Sequence, residues 1–175
     1  MLAAFNAKYI HSNLAVYDLK AYAQKYASNV ILKEYTINQQ KDDILRDIYL
    51  EQPDVVCVSC YIWNITFVKE LMRDLAKILP GVSFWAFRFL MWRLEFTKEA
   101  DAGEKLIQFL KENQEFTGVM AGEGEETFLE LAGHYIEQKP EELKEITGIC
   151  YRDAEGIHHN GWRHILDLSS IPFIY

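Results

Sequence analysis

The sequence predicts an α/β domain, a parallel sheet with helices on both faces, from three observations. Short apolar runs alternate with longer stretches whose apolar residues recur at helical spacing, and the alternation occurs five times. The run Val55-Val56-Cys57-Val58 is apolar without a break, as in a parallel strand buried on both faces. Finally, Gly122-Glu123-Gly124 lies between an apolar run and an amphipathic helix, the place where an open parallel sheet binds its ligands.

The first strand is Leu2-Ala3-Ala4-Phe5, and Asn6-Ala7-Lys8-Tyr9-Ile10-His11-Ser12 follows as a loop. Ser12 or Asn13 can cap the first helix, whose single face holds Ala15, Leu19, Tyr22, Ala23 and Tyr26. Residues 30–36 form the second strand. Asp42 or Asp43 opens the second helix, with Ile44, Leu45, Ile48 and Tyr49 expected inward and Pro53 just beyond its end. Residues 54–59 are the third strand, with Cys60-Tyr61-Ile62-Trp63-Asn64 as its exit loop. The third helix carries Val68, Leu71, Met72, Leu75 and Leu79 on one face and stops at Pro80-Gly81. Residues 82–86 are the fourth strand.

The stretch 87–101 breaks the alternation, crowding seven bulky apolar residues around Arg88 and Arg93 without a turn signal. A helix with Leu106, Ile107, Phe109 and Leu110 follows, then the fifth strand at 118–121. Glu125 and Glu126 open the next helix, where negative charge is favoured, and Phe128, Leu131, Ala132, Tyr135 and Ile136 form its stripe. Residues 149–159 read as a β-hairpin. Five such units predict a flavodoxin-like (Rossmann-like) three-layer αβα domain with strand order 2-1-3-4-5. The hairpin is expected as an appendage. The expected division is 1–147 for the main domain, 148–166 for the hairpin extension and 167–175 for a linker.

With 175 residues, half of them hydrophobic and a quarter charged, the chain has the composition of one globular domain. Its net charge of −8 argues against nucleic acid or an anionic membrane as partner. No apolar run approaches the roughly 18 residues that span a bilayer, and no basic-then-apolar leader occurs, so the cytoplasm is the expected location. Three cysteines argue against a disulfide framework. Cys57 and Cys60 have redox-pair spacing, but a redox thiol needs exposure at a helix N-terminus, and these fall in a buried strand. They read as core residues. No second Cys or His pair stands at zinc spacing, and no nucleophile–base pair is identifiable, so neither metal ligands nor catalytic residues are assigned.

The loops leaving strands one, three and five concentrate the notable polar and aromatic residues: Asn6, Ala7, Lys8, Tyr9 and His11; Ser59, Tyr61, Trp63 and Asn64; Gly122, Glu123, Gly124, Glu125 and Thr127. Tyr61 and Trp63 cover either the core or a flat ligand. A phosphate P-loop and a dinucleotide fingerprint are both absent, since no glycine precedes Gly81. A phospho-receiver would need acidic residues where Asn6 and Ser59 stand.

Four segments together, Asn6-Ala7-Lys8-Tyr9-Ile10-His11-Ser12, Ser59-Cys60-Tyr61-Ile62-Trp63-Asn64, Gly122-Glu123-Gly124-Glu125-Glu126-Thr127-Phe128 and Ile171-Pro172-Phe173, resemble the N-terminal cobalamin-binding domain of cobalamin-dependent radical S-adenosylmethionine enzymes. The resemblance implies a Rossmann-like domain holding the corrin against the carboxyl ends of its strands, with the residues of the three loops as contacts. It further implies a following radical S-adenosylmethionine domain with a 4Fe–4S cluster, whose cysteine triplet does not occur here. The expectation is therefore a non-catalytic cofactor domain of a larger enzyme, of methyltransferase type, with no turnover in isolation and an unknown substrate. Two departures stand out. The family's Asp-x-His-x-x-Gly pattern is replaced by Asn6, Lys8 and His11, so the resemblance implies cobalamin held without that axial histidine. Phe87-Arg88-Phe89-Leu90 stands where the family has Gly-Gly-Pro-Glu. The competing expectations are a degenerate α/β docking or substrate-positioning domain that binds no cofactor, and a small nucleotide binder.

Overall fold

The computed structural model describes residues 1–7, 12–87, 99–138 and 143–164. Along the chain run β1 (Leu2–Asn6), α1 (Leu14–Tyr22), a 3-10 helix (Gln24–Asn29), β2 (Leu32–Thr36), α2 (Lys41–Glu51), β3 (Val55–Ser59), α3 (Ile65–Ile78), β4 (Ser83–Phe87), α4 (Glu99–Glu112), β5 (Gly118–Met120), α5 (Glu125–Ile136), β6 (Ile149–Arg152) and β7 (Ile157–His159). The strands form one sheet in the order β2-β1-β3-β4-β5-β6-β7. The first five are parallel, in the predicted order.

The hairpin is not an appendage. β6 pairs antiparallel with β5, and β7 with β6, so the sheet has seven strands. Ile149, Cys150 and Tyr151 are buried in succession, which requires cover on both faces and therefore a place inside a layered sheet. Pairing there also caps the outer edge of β5.

Strand parity divides the interior into two cores. Leu2, Ala4, Cys57, Trp85 and Met120 face α1 and α5. Ala3, Phe5, Val56, Val58, Phe84 and Val119 face α2, α3 and α4. Cys57 belongs to the first core and Cys60 to the second, so the two thiols lie on opposite faces of the sheet. Both are buried and unpaired, as is Cys150. Burial pushes the Cys57 and Cys150 thiols up to about 12, far from redox poise.

A row of register partners, Leu2, Cys57, Trp85 and Gly118, crosses the α1/α5 face. The indole of Trp85 occupies the space above Gly118: a Cβ there would lie 2.3 Å from Trp85 Cζ3. Trp85 Nε1 donates to Tyr135 Oη at 2.9 Å, fixing α5 over the sheet.

Two details differ from the periodicity. The first helix ends at Tyr22 and winds on as the 3-10 helix. Tyr26 stays buried, because that tighter segment carries its ring onto Gly133 of α5, where a Cβ would meet the Tyr26 hydroxyl at 2.9 Å. In α2, Ile44 and Ile48 are core but Tyr49 is exposed. At 3.6 residues per turn, Tyr49 lies about 140° around the helix from Ile44. Likewise Ile136, in the last turn of α5, is exposed. No helix among the described residues is long and apolar enough to cross a membrane.

Candidate functional site

The carboxyl ends of β1 and β3 are tied together by a polar cluster. Asn6, the last residue of β1, shares strand parity with Ala4 and Leu2, and so does Glu34 of β2, which pairs with Ala4. Asn6 Nδ2 donates to Glu34 Oε2 at 2.7 Å, and the backbone N–H of Asn13 donates to the same oxygen at 3.1 Å. Asn13 Nδ2 in turn lies 3.4 Å from Asn6 Oδ1 and 3.5 Å from Ser59 Oγ. Tyr61 Oη donates to Asn13 Oδ1 at 3.4 Å.

Asn13 occupies the cap position of α1, but its side chain makes no cap bond. Glu34, reaching across from β2, accepts the free N–H instead and sets a negative charge at a helix N-terminus. Hydrogen bonding to Glu34 also raises the Tyr17 phenol above its ordinary value.

The exit loop of β3 is held from within. Asn64 is fully buried; its Oδ1 accepts from Tyr61 N at 2.7 Å, and its Nδ2 donates to Phe5 O at 3.1 Å and Ser59 O at 3.2 Å. That anchoring supports an outward-facing pair. The rings of Tyr61 and Trp63 stack 5.5 Å apart at 8°, and Trp63 remains 46% exposed, with Ile62 beside it in sequence more exposed still. Exposing such apolar area costs about 25 cal/mol per Å² against burying it.

After β5, Gly122 adopts φ +78° with nothing within 4 Å of the Cβ it lacks, an open left-handed turn that glycine takes without strain. Gly124 caps α5 and lies against Leu19 of α1. Glu125 is 6% exposed, and its Oε2 has no hydrogen-bond partner among the described residues. Burial, with Glu126 and Glu125 nearby, raises the phenol of Tyr22. Thr127 is buried beneath the turn, donating to Thr147 O at 3.4 Å and accepting from Arg163 Nε at 3.1 Å. Arg163 also bonds Glu126 Oε2 at 3.1 Å and Glu130, which returns the chain after β7 to the first turns of α5.

Thus Asn6, Ser59, Tyr61 and Asn64 form one connected group around Asn13, with Trp63 stacked at its margin. Gly122, Glu123, Gly124, Glu125 and Thr127 follow β5 on the same edge. Ala7 accepts a hydrogen bond from Asn38 Nδ2 at 3.3 Å. Lys8, Tyr9 and His11 lie outside the described residues, as do residues 88–98 of the irregular stretch and the linker. Asn13, Glu34 and Arg163 were not among the predicted site residues. Glu34 had one legible signal: a charged residue at the same strand parity as Leu32, facing the sheet interior.

Two other features lie elsewhere. A cavity of about 550 Å³ opens at the amino ends of β1 and β3, among Met1, Val30, Val55, Phe128 and Tyr135; no predicted site residue lines it. Asp153, Glu155 and His158 cluster on the β6–β7 turn. There Asp153 Oδ1 already accepts from Glu155 N, Gly156 N and, at 2.9 Å, pairs with His158 Nε2, which closes the hairpin.

Residues 2–86, from β1 to β4, match the family of the B12 binding domain. No curated protein matches the chain in sequence. Among solved structures, this chain is similar to the cobalamin-dependent S-adenosylmethionine radical enzyme OxsB with aqua-cobalamin and S-adenosylmethionine bound, at TM-score 0.68 and 17% identity. That likeness covers 98% of this chain and 23% of the other. It is also similar to the radical S-adenosylmethionine methyltransferase TsrM from Kitasatospora setae with cobalamin and a [4Fe-4S] cluster bound, at TM-score 0.58 and 13% identity, covering 97% of this chain and 30% of that one. At these identities the likeness is one of fold, and the chain spans less than a third of the length of either structure. The likeness in fold to these structures extends over the hairpin as well, beyond the residues the family match covers.

Proposed function

We propose that this chain is the cobalamin-carrying domain of a larger radical S-adenosylmethionine enzyme of methyltransferase type. In this reading the corrin lies along the carboxyl edge of β1, β3 and β5, without an axial histidine from the chain. The observation that carries it is the group Asn6–Asn13–Ser59–Tyr61, joined across the ends of β1 and β3 beside an exposed aromatic stack.

The residues suit such a guest. A corrin is a broad apolar ring bordered by carboxamides, and ligand sites match that with apolar walls and a few placed polar groups. Tyr61 and Trp63 offer the flat apolar surface. The buried Oε2 of Glu125, without a hydrogen-bond partner among the described residues, is an acceptor for an amide N–H, and the open turn at Gly122 lets backbone approach without a Cβ. Bound cobalamin supplies a cobalt centre that carries a methyl group; this chain's own residues bind it, orient it and exclude water from one side. S-adenosylmethionine cleavage and the 4Fe–4S cluster belong to a following domain of the same polypeptide, and residues 1–147 with the hairpin have no turnover alone. Arg163 supports that arrangement, since it brings residue 164 back to the cofactor edge.

Titration of the purified chain with hydroxocobalamin, followed by corrin absorbance and by colour retained through gel filtration, tests the reading. No spectral change and no retained colour would overturn it.

One observation favours a second reading, a docking module without cofactor. Phe87 is a bulky, buried ring at the carboxyl end of β4, on the same face as Asn6 and Ser59. A wild-type chain that binds nothing, with a Phe87→Ala variant that gains hydroxocobalamin binding, would identify that ring as the obstruction.

A further inference from the structure

We propose that Glu34, a strand residue remote from the turn sequences, is a positioning residue of the cofactor edge: its carboxylate sets Asn6 and Asn13 for their contacts. The inference rests on the cobalamin reading above. A single oxygen, Oε2, accepts from Asn6 Nδ2 at 2.7 Å and from Asn13 N at 3.1 Å. It thereby fixes the residue at which the chain leaves β1 and the residue at which it enters α1. The phenol of Tyr17, one turn into α1, bonds the same carboxylate.

Among the described residues, no other side chain bonds both Asn6 and the Asn13 N–H. α1 has no acidic residue in its first turn and no side-chain cap. Glu34 therefore supplies the negative charge at this positive dipole end, through the Asn13 N–H. With its backbone held, Asn13 presents a side-chain amide whose two ends meet Asn6 and Ser59 on one side and Tyr61 on the other. These contacts are 3.4–3.5 Å long, near the outer limit for a hydrogen bond, so a small drift of Asn13 breaks them. Glu34 bonds neither Ser59 nor Tyr61 directly, yet the side-chain links of both toward Asn6 run through Asn13, which it holds.

The test compares the wild-type chain with Glu34→Leu, Glu34→Gln and a control, Ile48→Val, which trims the opposite core. Each is measured for thermal midpoint, hydroxocobalamin affinity and hydrogen exchange at the Asn13 amide. Glu34→Leu should lose about tenfold or more in affinity and speed Asn13 exchange, because charge-assisted bonds at two points vanish. Glu34→Gln should bind within about threefold of wild type, since its carbonyl oxygen can replace Oε2 for both donors. Ile48→Val should lose stability comparable to Glu34→Leu while binding within about threefold of wild type. Wild-type binding together with undiminished affinity in Glu34→Leu would overturn the positioning role and leave the cobalamin reading standing. So would an affinity loss in Ile48→Val equal to that of Glu34→Leu. A wild-type chain that binds no hydroxocobalamin would overturn the cobalamin reading and this role with it.

Discussion

Replacing Gly118 with alanine should cost the domain a substantial part of its stability. The added Cβ would lie 2.3, 2.6 and 2.8 Å from Cζ3, Cη2 and Cε3 of Trp85. Apolar carbons rest about 3.5–4.0 Å apart, so the indole must retreat by roughly 1.2 Å or more. It has nowhere to go: Trp85 is fully buried, sits mid-strand between β3 and β5, and is fixed through Nε1 to Tyr135 Oη. Overpacking of this kind costs about 1–3 kcal/mol, and loss of the Trp–Tyr bond about 1 kcal/mol more. The sum, about 2–4 kcal/mol, corresponds to a fall in Tm on the order of 10 °C for a domain of this size. Thermal unfolding followed by circular dichroism measures it. Gly81→Ala is the control, since its Cβ meets nothing within 4 Å and only its positive φ is strained. Combining Gly118→Ala with Trp85→Phe, which replaces the bicyclic indole with a smaller single ring, should recover part of the loss, a coupling that two independent sites would not show. A Tm for Gly118→Ala within about 2 °C of wild type would refute the packing argument.

Other outcomes follow from particular groups. Gly124→Ala should fold with stability within about 1 kcal/mol of wild type, because its φ is ordinary and its Cβ meets only the flexible tip of Leu19 at 3.1 Å. If the cofactor approaches that backbone, the same variant weakens hydroxocobalamin binding; equal affinity in a titration would remove Gly124 from the contact set. Cys57, Cys60 and Cys150 are buried with raised thiol pKa values, so native protein should resist iodoacetamide and react only when unfolded. Rapid modification seen by mass spectrometry would contradict this. Hydrogen bonds from Lys41 and Lys77 lower the Asp74 carboxyl from 3.8 to about 2. Its folded pKa is depressed, so its stabilisation is present above about pH 4 and fades as pH falls toward 2. For this solvent-screened group we expect no more than about 1 kcal/mol between wild type and Asp74→Asn at neutral pH, closing in acid; a gap that widens in acid, measured by urea unfolding, would reverse the assignment.

Most of the framework was legible because its signals are local. Val55-Val56-Cys57-Val58 could only be a strand covered on both faces, and the α3 stripe of Val68, Leu71, Met72 and Leu75 could face only one way. The glycine turn marked the carboxyl edge, and the alternation of elements fixed the parallel strand order. Other features were not legible. The hairpin read as a self-contained unit because its turn is local, while its pairing with β5 depends on a bare strand edge contributed by distant residues. Tyr49 and Ile136 carried apolar identity without inward orientation, which is decided by what each helix packs against.

The candidate site divides the same way. Residue type alone brought Asn6, Ser59, Tyr61, Trp63 and Asn64 to notice, because amide and aromatic side chains in consecutive turns of a parallel sheet gather along one edge. Their roles came only from coordinates. Asn64 is an internal brace, Asn13 is a junction, and Glu34 reaches from the next strand to hold it. The order of strands and the edge at which the candidate site lies follow from short-range pattern and chain handedness, which the sequence by itself determines. Which side chain meets which across that edge follows from register between segments tens of residues apart. Only the folded backbone decides that, because no local pattern records the distance between two chains that meet through the sheet.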